Sequence, residues 1–81
     1  MTKRKLILYS TEGCHLCEQA LCLINSTSHI SSIDIEIVDI AVCDKLIALY
    51  GVHIPVLEDK LREKKLFWPF DEVQLSTWLS E

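Results

Sequence analysis

The sequence predicts a single α/β domain of element order βαβαββα, and three observations carry that reading. Apolar runs of strand length alternate with segments whose apolar residues recur at helical spacing. A Cys14-His15-Leu16-Cys17 pair stands where the first such run gives way to the first such helix. With 81 residues, 49% of them hydrophobic, the chain can bury about 60–65% of its unfolded surface, enough for one core over residues 1–81 and no second domain.

The first strand is expected over residues 5–9, where Leu6, Ile7, Leu8 and Tyr9 follow Lys5. Ser10, Thr11, Glu12 and Gly13 have turn composition. Leu16, Ala20, Leu23 and Ile24 then mark a helix, and the polar residues 25–29 should end it. Ile33, Ile35 and Ile37 alternate with Asp34 and Glu36, and residues 38–40 extend the run, which predicts a second strand with one mostly buried face. Strand, helix and strand within this length imply a parallel crossover.

Leu46, Leu49 and Tyr50 place a second helix over residues 43–50, stopped by Gly51. Pro55 precedes a short strand at Val56 and Leu57 and removes an N–H from its start. Residues 58–65 are nearly all charged and contain no Gly or Asn, so this connection reads as an exposed loop or a helical turn before a last strand at residues 66–68. Asp71, with Gln74 three residues on, matches a capping box for a final helix carrying Leu75, Trp78 and Leu79.

Two thiols three residues apart at a helix start can close a disulfide reversibly. In a first helical turn such residues share a face, with Cβ atoms about 5–6 Å apart, and a small adjustment brings the sulfurs into bonding range. Free backbone N–H groups and the positive dipole end favour the thiolate of the outer cysteine. Cys14 is therefore the candidate nucleophile and Cys17, one turn deeper, the resolving thiol. Lowering a thiol pKa from about 8.5 to about 7 raises the thiolate fraction at neutral pH from roughly 3% to roughly half, but nucleophilicity falls with a Brønsted slope of about 0.4–0.5. The net gain in attack is about threefold; the larger benefit is that Cys14 leaves readily when Cys17 displaces it.

Other readings of the pair are weaker. A cross-link closing about four residues removes only about 2 kcal/mol of unfolded-state entropy, so it is a poor staple. Structural zinc takes four Cys or His ligands, and Cys22 and Cys43 form no second C-x-x-C. Cys22, five residues after Cys17, lies off the active face and is expected to pack in the interior. Cys43 opens the second helix without a partner cysteine nearby in sequence. No metal-ligand set and no tightly bound cofactor are expected.

The net charge of −4 and pI near 5.3 argue against nucleic acid or an anionic membrane as partner. Lys3, Arg4 and Lys5 precede only four apolar residues, too few for a signal-peptide core or a membrane span. The basic trio reads as a solvated strand start. A cytoplasmic protein and a monomer are expected, in a compartment where thiols stay reduced unless cycled. His29 reads as a surface residue.

Three segments resemble the glutaredoxin branch of the thioredoxin superfamily, especially the small bacterial glutaredoxin-like proteins. They are Leu8-Tyr9-Ser10-Thr11-Glu12-Gly13-Cys14-His15-Leu16-Cys17, Tyr50-Gly51-Val52-His53-Ile54-Pro55-Val56-Leu57 and Leu66-Phe67-Trp68-Pro69-Phe70-Asp71. The resemblance implies a thioredoxin-like fold, a four-stranded mixed sheet flanked by helices. It also implies a thiol-disulfide oxidoreductase in which Cys14 attacks a disulfide, Cys17 resolves the mixed intermediate, and a cis Ile54-Pro55 bond lies beside the sulfurs.

Gly13, His15, Leu16, His53, Ile54 and Pro55 become the expected substrate-binding rim, with the Ile54 backbone available for strand addition. His15, charged, would stabilise a Cys14 thiolate and, neutral, could move a proton. Glutathione-binding glutaredoxins usually carry a lysine three residues before the first cysteine, a T-V-P and a Gly-Gly; here those places hold Thr11, His53-Ile54-Pro55 and Trp68-Pro69-Phe70. Glu12 adds negative charge, and Asp71 has its capping role, so glutathione binding is expected to be weak. The expected partners are a disulfide-containing protein or small molecule and a thiol or reductase electron donor. The alternative is a non-catalytic binding module that holds a partner, a metal or an iron–sulfur cluster through Cys14.

Overall fold

The computed structural model describes residues 4–27 and 30–80. Lys3 of the basic trio and His29 lie outside the described residues. The elements run β1 (Arg4–Ser10), α1 (His15–Ser26), β2 (Ile33–Asp39), α2 (Asp44–Tyr50), β3 (Val56–Asp59), β4 (Lys64–Phe67) and α3 (Glu72–Ser80), with short 3-10 turns at Ile30–Ser32 and Ile40–Val42. Among the described residues, no helix is long and apolar enough to cross a membrane.

The strands form one mixed sheet in the order β2-β1-β3-β4. β1 and β2 pair in parallel from Arg4 opposite Ile33 to Ser10 opposite Asp39. β3 runs antiparallel to β1, with Tyr9 opposite Val56, and β4 antiparallel to β3. Alternation along β1 sends Leu6 and Leu8 to one face and Ile7 and Tyr9 to the other. The first face packs with Ala20 and Ile24 of α1 and Leu75, Trp78 and Leu79 of α3. On the second face Tyr9 and Val56 pack with Ile40 and with Tyr50 of α2. The rings of Tyr9 and Tyr50 stack with centroids 4.4 Å apart.

Local signals place the helix boundaries. Cys14 is the N-cap of α1, and Thr27 closes its other end by donating its N–H to the Ile24 carbonyl. The capping box of α3 forms in both directions: the Gln74 N–H donates to Asp71 Oδ1 at 2.8 Å, and the Asp71 N–H to Gln74 Oε1 at 3.1 Å. Gly51 ends α2 in a right-handed conformation; a Cβ there would sit 2.5 Å from the Ile47 carbonyl oxygen. Close backbone approach, not a left-handed turn, is what requires the glycine.

Four expectations are corrected. β2 is an edge strand, so its apolar face is covered only at the start: Ile33 is buried, Ile35 half-buried and Ile37 55% exposed. Cys22 is exposed rather than packed, because α1 buries the stripe of Cys17, Ala20 and Ile24 and Cys22 points from the opposite side. The charged segment 58–65 is no loop throughout. Its ends belong to β3 and β4, only residues 60–63 turn, and Trp68 falls just past the last strand.

The fourth correction joins two distant segments. Arg4 is not a solvated strand start: its Nε donates to Oδ2 of Asp59 at 2.6 Å, and its Nη1 to the Leu79 carbonyl at 2.5 Å. Asp59, expected in an exposed loop, is 1% exposed. Burial pushes its carboxyl up, but the hydrogen bonds from Arg4 and the Arg62 N–H outweigh this and hold it below the usual carboxylate range.

Candidate functional site

The chain leaves β1 through a turn at residues 11–13 in which Gly13 takes φ +76°, the left-handed region open to glycine. That turn delivers Cys14 to the N-cap of α1 and Cys17 into its first turn. The two are joined as a disulfide across a Cα–Cα distance of 5.2 Å. Cys14 is half-buried and Cys17 is 4% exposed. The outer and inner positions expected of the pair are thus realised by one residue standing just outside the helix and the other packed beneath it.

The N-cap position has a chemical consequence. The Cys17 N–H donates to Cys14 Sγ at 3.1 Å, the contact a capping serine or aspartate oxygen would make. A donor aimed at that sulfur from the helix N-terminus favours its anionic form when the disulfide opens. The buried Cys17 has no such advantage and acts on a sulfur already within bonding reach.

The expected rim residues fall into distinct places. His15 is almost fully exposed, with Nδ1 3.6 Å from Oε2 of Glu18. Leu16 is exposed beside it. The Ile54-Pro55 bond is cis. Because Tyr9 pairs with Val56, the antiparallel register sets Pro55 alongside Ser10, at the end of β1 that leads into the cysteine turn. Pro55 is buried and its carbonyl accepts from the Trp68 N–H at 3.2 Å. Trp68-Pro69 is a second cis bond, which nothing in the sequence reading anticipated.

One rim expectation changes. The Ile54 N–H is already donated to the Tyr50 carbonyl at 3.0 Å, so strand addition there has no N–H to offer and only the Ile54 carbonyl can take part. His53 is exposed and stands edge-on to Phe67, with ring centroids 5.5 Å apart.

A cleft of about 290 Å³ is lined by both cysteines. It opens toward β2: Leu8, Leu21 and Ile37 form its apolar side, and Thr11, Glu12 and Glu18 its polar side. His53, Ile54 and Pro55 are not among its lining residues. The sequence reading did not single out Leu21 or Ile37. The signal for Ile37 was the strand alternation itself, which identifies an apolar position without saying whether the strand is an edge.

On the far side of the sheet, the Tyr9 hydroxyl donates to Glu58 Oε1 at 2.5 Å, and Lys65 lies over the Tyr50 ring at 5.2 Å. Burial first, and then the bond to Glu58, push the Tyr9 phenol well above its ordinary range. The group stays protonated and fastens β1 to β3 directly before the cysteine turn. Among the described residues no three His, Cys, Asp or Glu side chains converge as a metal-binding group, so within the described chain Cys14 and Cys17 offer at most two thiolates to a metal.

The sequence matches the glutaredoxin-like domain family (DUF836) over residues 5–80. The chain belongs to this family. Two solved structures are similar along nearly their whole length. The crystal structure of protein XcR50 from X. campestris is 35% identical, with 93% of this chain and 95% of that chain covered and a TM-score of 0.81. The solution structure of protein Ne2328 from Nitrosomonas europaea is 29% identical, with 96% and 93% covered and a TM-score of 0.79. No curated protein matches the chain. The mixed four-stranded sheet flanked by three helices is the thioredoxin-like fold, and a glutaredoxin-like domain with a Cys14–Cys17 pair supports a redox role in general terms.

Proposed function

We propose that this glutaredoxin-like protein is a dithiol-disulfide oxidoreductase. The observation that carries the reading is the pairing of a half-exposed Cys14, at the N-cap of α1, with a buried Cys17 whose own N–H reaches the Cys14 sulfur. The reduced Cys14 thiolate attacks one sulfur of a substrate disulfide and releases the other as a thiolate that takes up a proton. Cys17, deprotonated, then attacks Cys14 Sγ, closes the Cys14–Cys17 bond and frees the second substrate thiol. The substrate gains two electrons and the protein dithiol loses two.

A thiol pool or a reductase returns those electrons, and a reducing compartment such as the cytoplasm suits the cycle. The substrate is a protein or small-molecule disulfide. Glutathione binds weakly on this reading, because Thr11 stands where a carboxylate-binding lysine would be useful and Glu12 faces the same cleft. The Asp71 carboxylate that could meet its amine already accepts the Gln74 N–H.

The test is the redox equilibrium of the pair, read by intact mass in graded thiol/disulfide buffers on Cys22→Ser/Cys43→Ser protein. A reversible internal disulfide with a potential between about −180 and −270 mV, the span from disulfide isomerase to thioredoxin, is expected. A pair that never closes, or that only accumulates mixed adducts, overturns the dithiol mechanism in favour of a binding or metal-holding role for Cys14.

A further inference from the structure

The cleft beside the disulfide has a one-sided charge. Glu12 and Glu18 line it together with both sulfurs. An adjoining hollow of about 260 Å³ shares Glu12 and Ile37 and reaches Asp39 at the end of β2. Among the described residues no Lys, Arg or His lines either space. Of the three carboxylates only Glu18 has a cation-capable neighbour among the described residues, the exposed His15 at 3.6 Å. The floor is apolar, and Ile37 is 55% exposed because β2 has no strand beyond it.

Carboxylates around a nucleophilic sulfur oppose its ionisation, since like charge disfavours the thiolate. They hinder the free dithiol and help only when a positive charge enters with the substrate. A cation in the cleft offsets them, lowers the cost of a Cys14 thiolate and steadies the departing thiolate. An apolar ledge ending in carboxylates fits a side chain with an aliphatic stem and a charged head.

We infer that the disulfide-exchange centre is selective for polypeptide disulfides whose cysteine is flanked by lysine or arginine, received on the β2 side with Glu12, Glu18 and Asp39 as specificity-determining residues. The inference rests on the oxidoreductase reading above and adds the substrate class to it. The chemistry is unchanged: the peptide disulfide takes two electrons and becomes two thiols, and the Cys14–Cys17 dithiol closes to a disulfide.

A carboxylate about 8 Å from a substrate charge, in water with a screening length of about 10 Å, changes the encounter by a factor of about 1.5. Three acting together give about threefold for a cation over a neutral group, and about tenfold for a cation over an anion.

The test uses reduced Cys22→Ser/Cys43→Ser protein in single turnover against three symmetrical peptide disulfides that carry Lys, Gln or Glu before the cysteine. Intrinsic disulfide reactivity cancels when the Lys/Glu rate ratio is divided by the same ratio for a Glu12→Gln/Glu18→Gln/Asp39→Asn variant, as does any general change in the Cys14 thiolate. A double ratio of about ten at 0.1 M salt, collapsing toward one at 1 M, is expected. Glu12→Gln and Asp39→Asn singly should move the ratio in the same direction by smaller steps, which keeps the test open should the triple variant not fold. A double ratio near one, with the Gln peptide still reduced, overturns the charge selectivity alone. Failure to reduce any of the three disulfides overturns the oxidoreductase reading and this inference with it.

Discussion

Arg4 and Asp59, fifty-five residues apart, meet through a 2.6 Å contact between Nε and Oδ2 that ties the first strand to the end of the third. The same guanidinium lies 5.3 Å over the Trp78 ring and donates to the Leu79 carbonyl, so one side chain holds β1, β3 and α3 together. Asp59→Ala leaves this largely buried cation without its counter-ion and should cost about 2–4 kcal/mol in urea unfolding. An Arg4→Met/Asp59→Leu double variant, which removes both charges, should cost less than either single change. A double variant that loses the sum of the two would show that the pair is not coupled.

The same pair sets an acid response. The folded pKa of Asp59 is depressed, so its contribution is fully present above the unfolded carboxyl value of about 3.9 and is lost as pH falls through the folded value. Wild-type stability should therefore drop more steeply below about pH 4 than that of Asp59→Asn. Parallel melting-temperature curves for the two proteins down to pH 2.5 would contradict this.

The asymmetry of the cysteine pair predicts distinct chemistry for its two members. Cys17→Ser should accumulate a mixed disulfide on Cys14 when given a disulfide substrate, seen as a mass adduct. Cys14→Ser should form none at Cys17, which is buried. In reduced Cys22→Ser/Cys43→Ser protein, iodoacetamide should label Cys14 before Cys17, since Cys14 is the more exposed of the two and its sulfur faces the Cys17 N–H.

Two glycines separate two kinds of backbone demand. Gly51→Ala would press a Cβ to 2.5 Å from the Ile47 carbonyl oxygen and should destabilise by about 1–3 kcal/mol, as overpacking does. Gly13→Ala meets no atom within 4 Å, so its cost comes only from the left-handed backbone, about 1–2 kcal/mol. Urea midpoints measure both, and relief by Gly13→Asn, which tolerates that conformation better, should be specific to residue 13.

The final helix offers a local check. Asp71→Ala removes the side-chain acceptor for the Gln74 N–H and should cost about 0.5–2 kcal/mol. Asp71→Ser should restore most of the loss, because a hydroxyl can accept the same bond. A Ser variant as weak as the Ala variant would mean that Asp71 acts through its charge rather than its cap.

What could be read from the chain was what short stretches decide. The run Leu6 to Tyr9, the isoleucine alternation of residues 33–37 and the Asp71/Gln74 pair specify strands and a capped helix through neighbours a few residues away, and Cys14 and Cys17 reach each other within one turn. The order βαβαββα and the C-x-x-C chemistry follow from these local periods. Tertiary structure alone decided where each element sits relative to the others. It left Ile37 on an uncovered edge beside the sulfurs, spent the Ile54 N–H on Tyr50, and drew Asp59 out of a charged segment to meet Arg4. Those outcomes depend on which strand ends the sheet and which surface covers each face, and a pattern that repeats every two or 3.6 residues carries no information about neighbours fifty residues away.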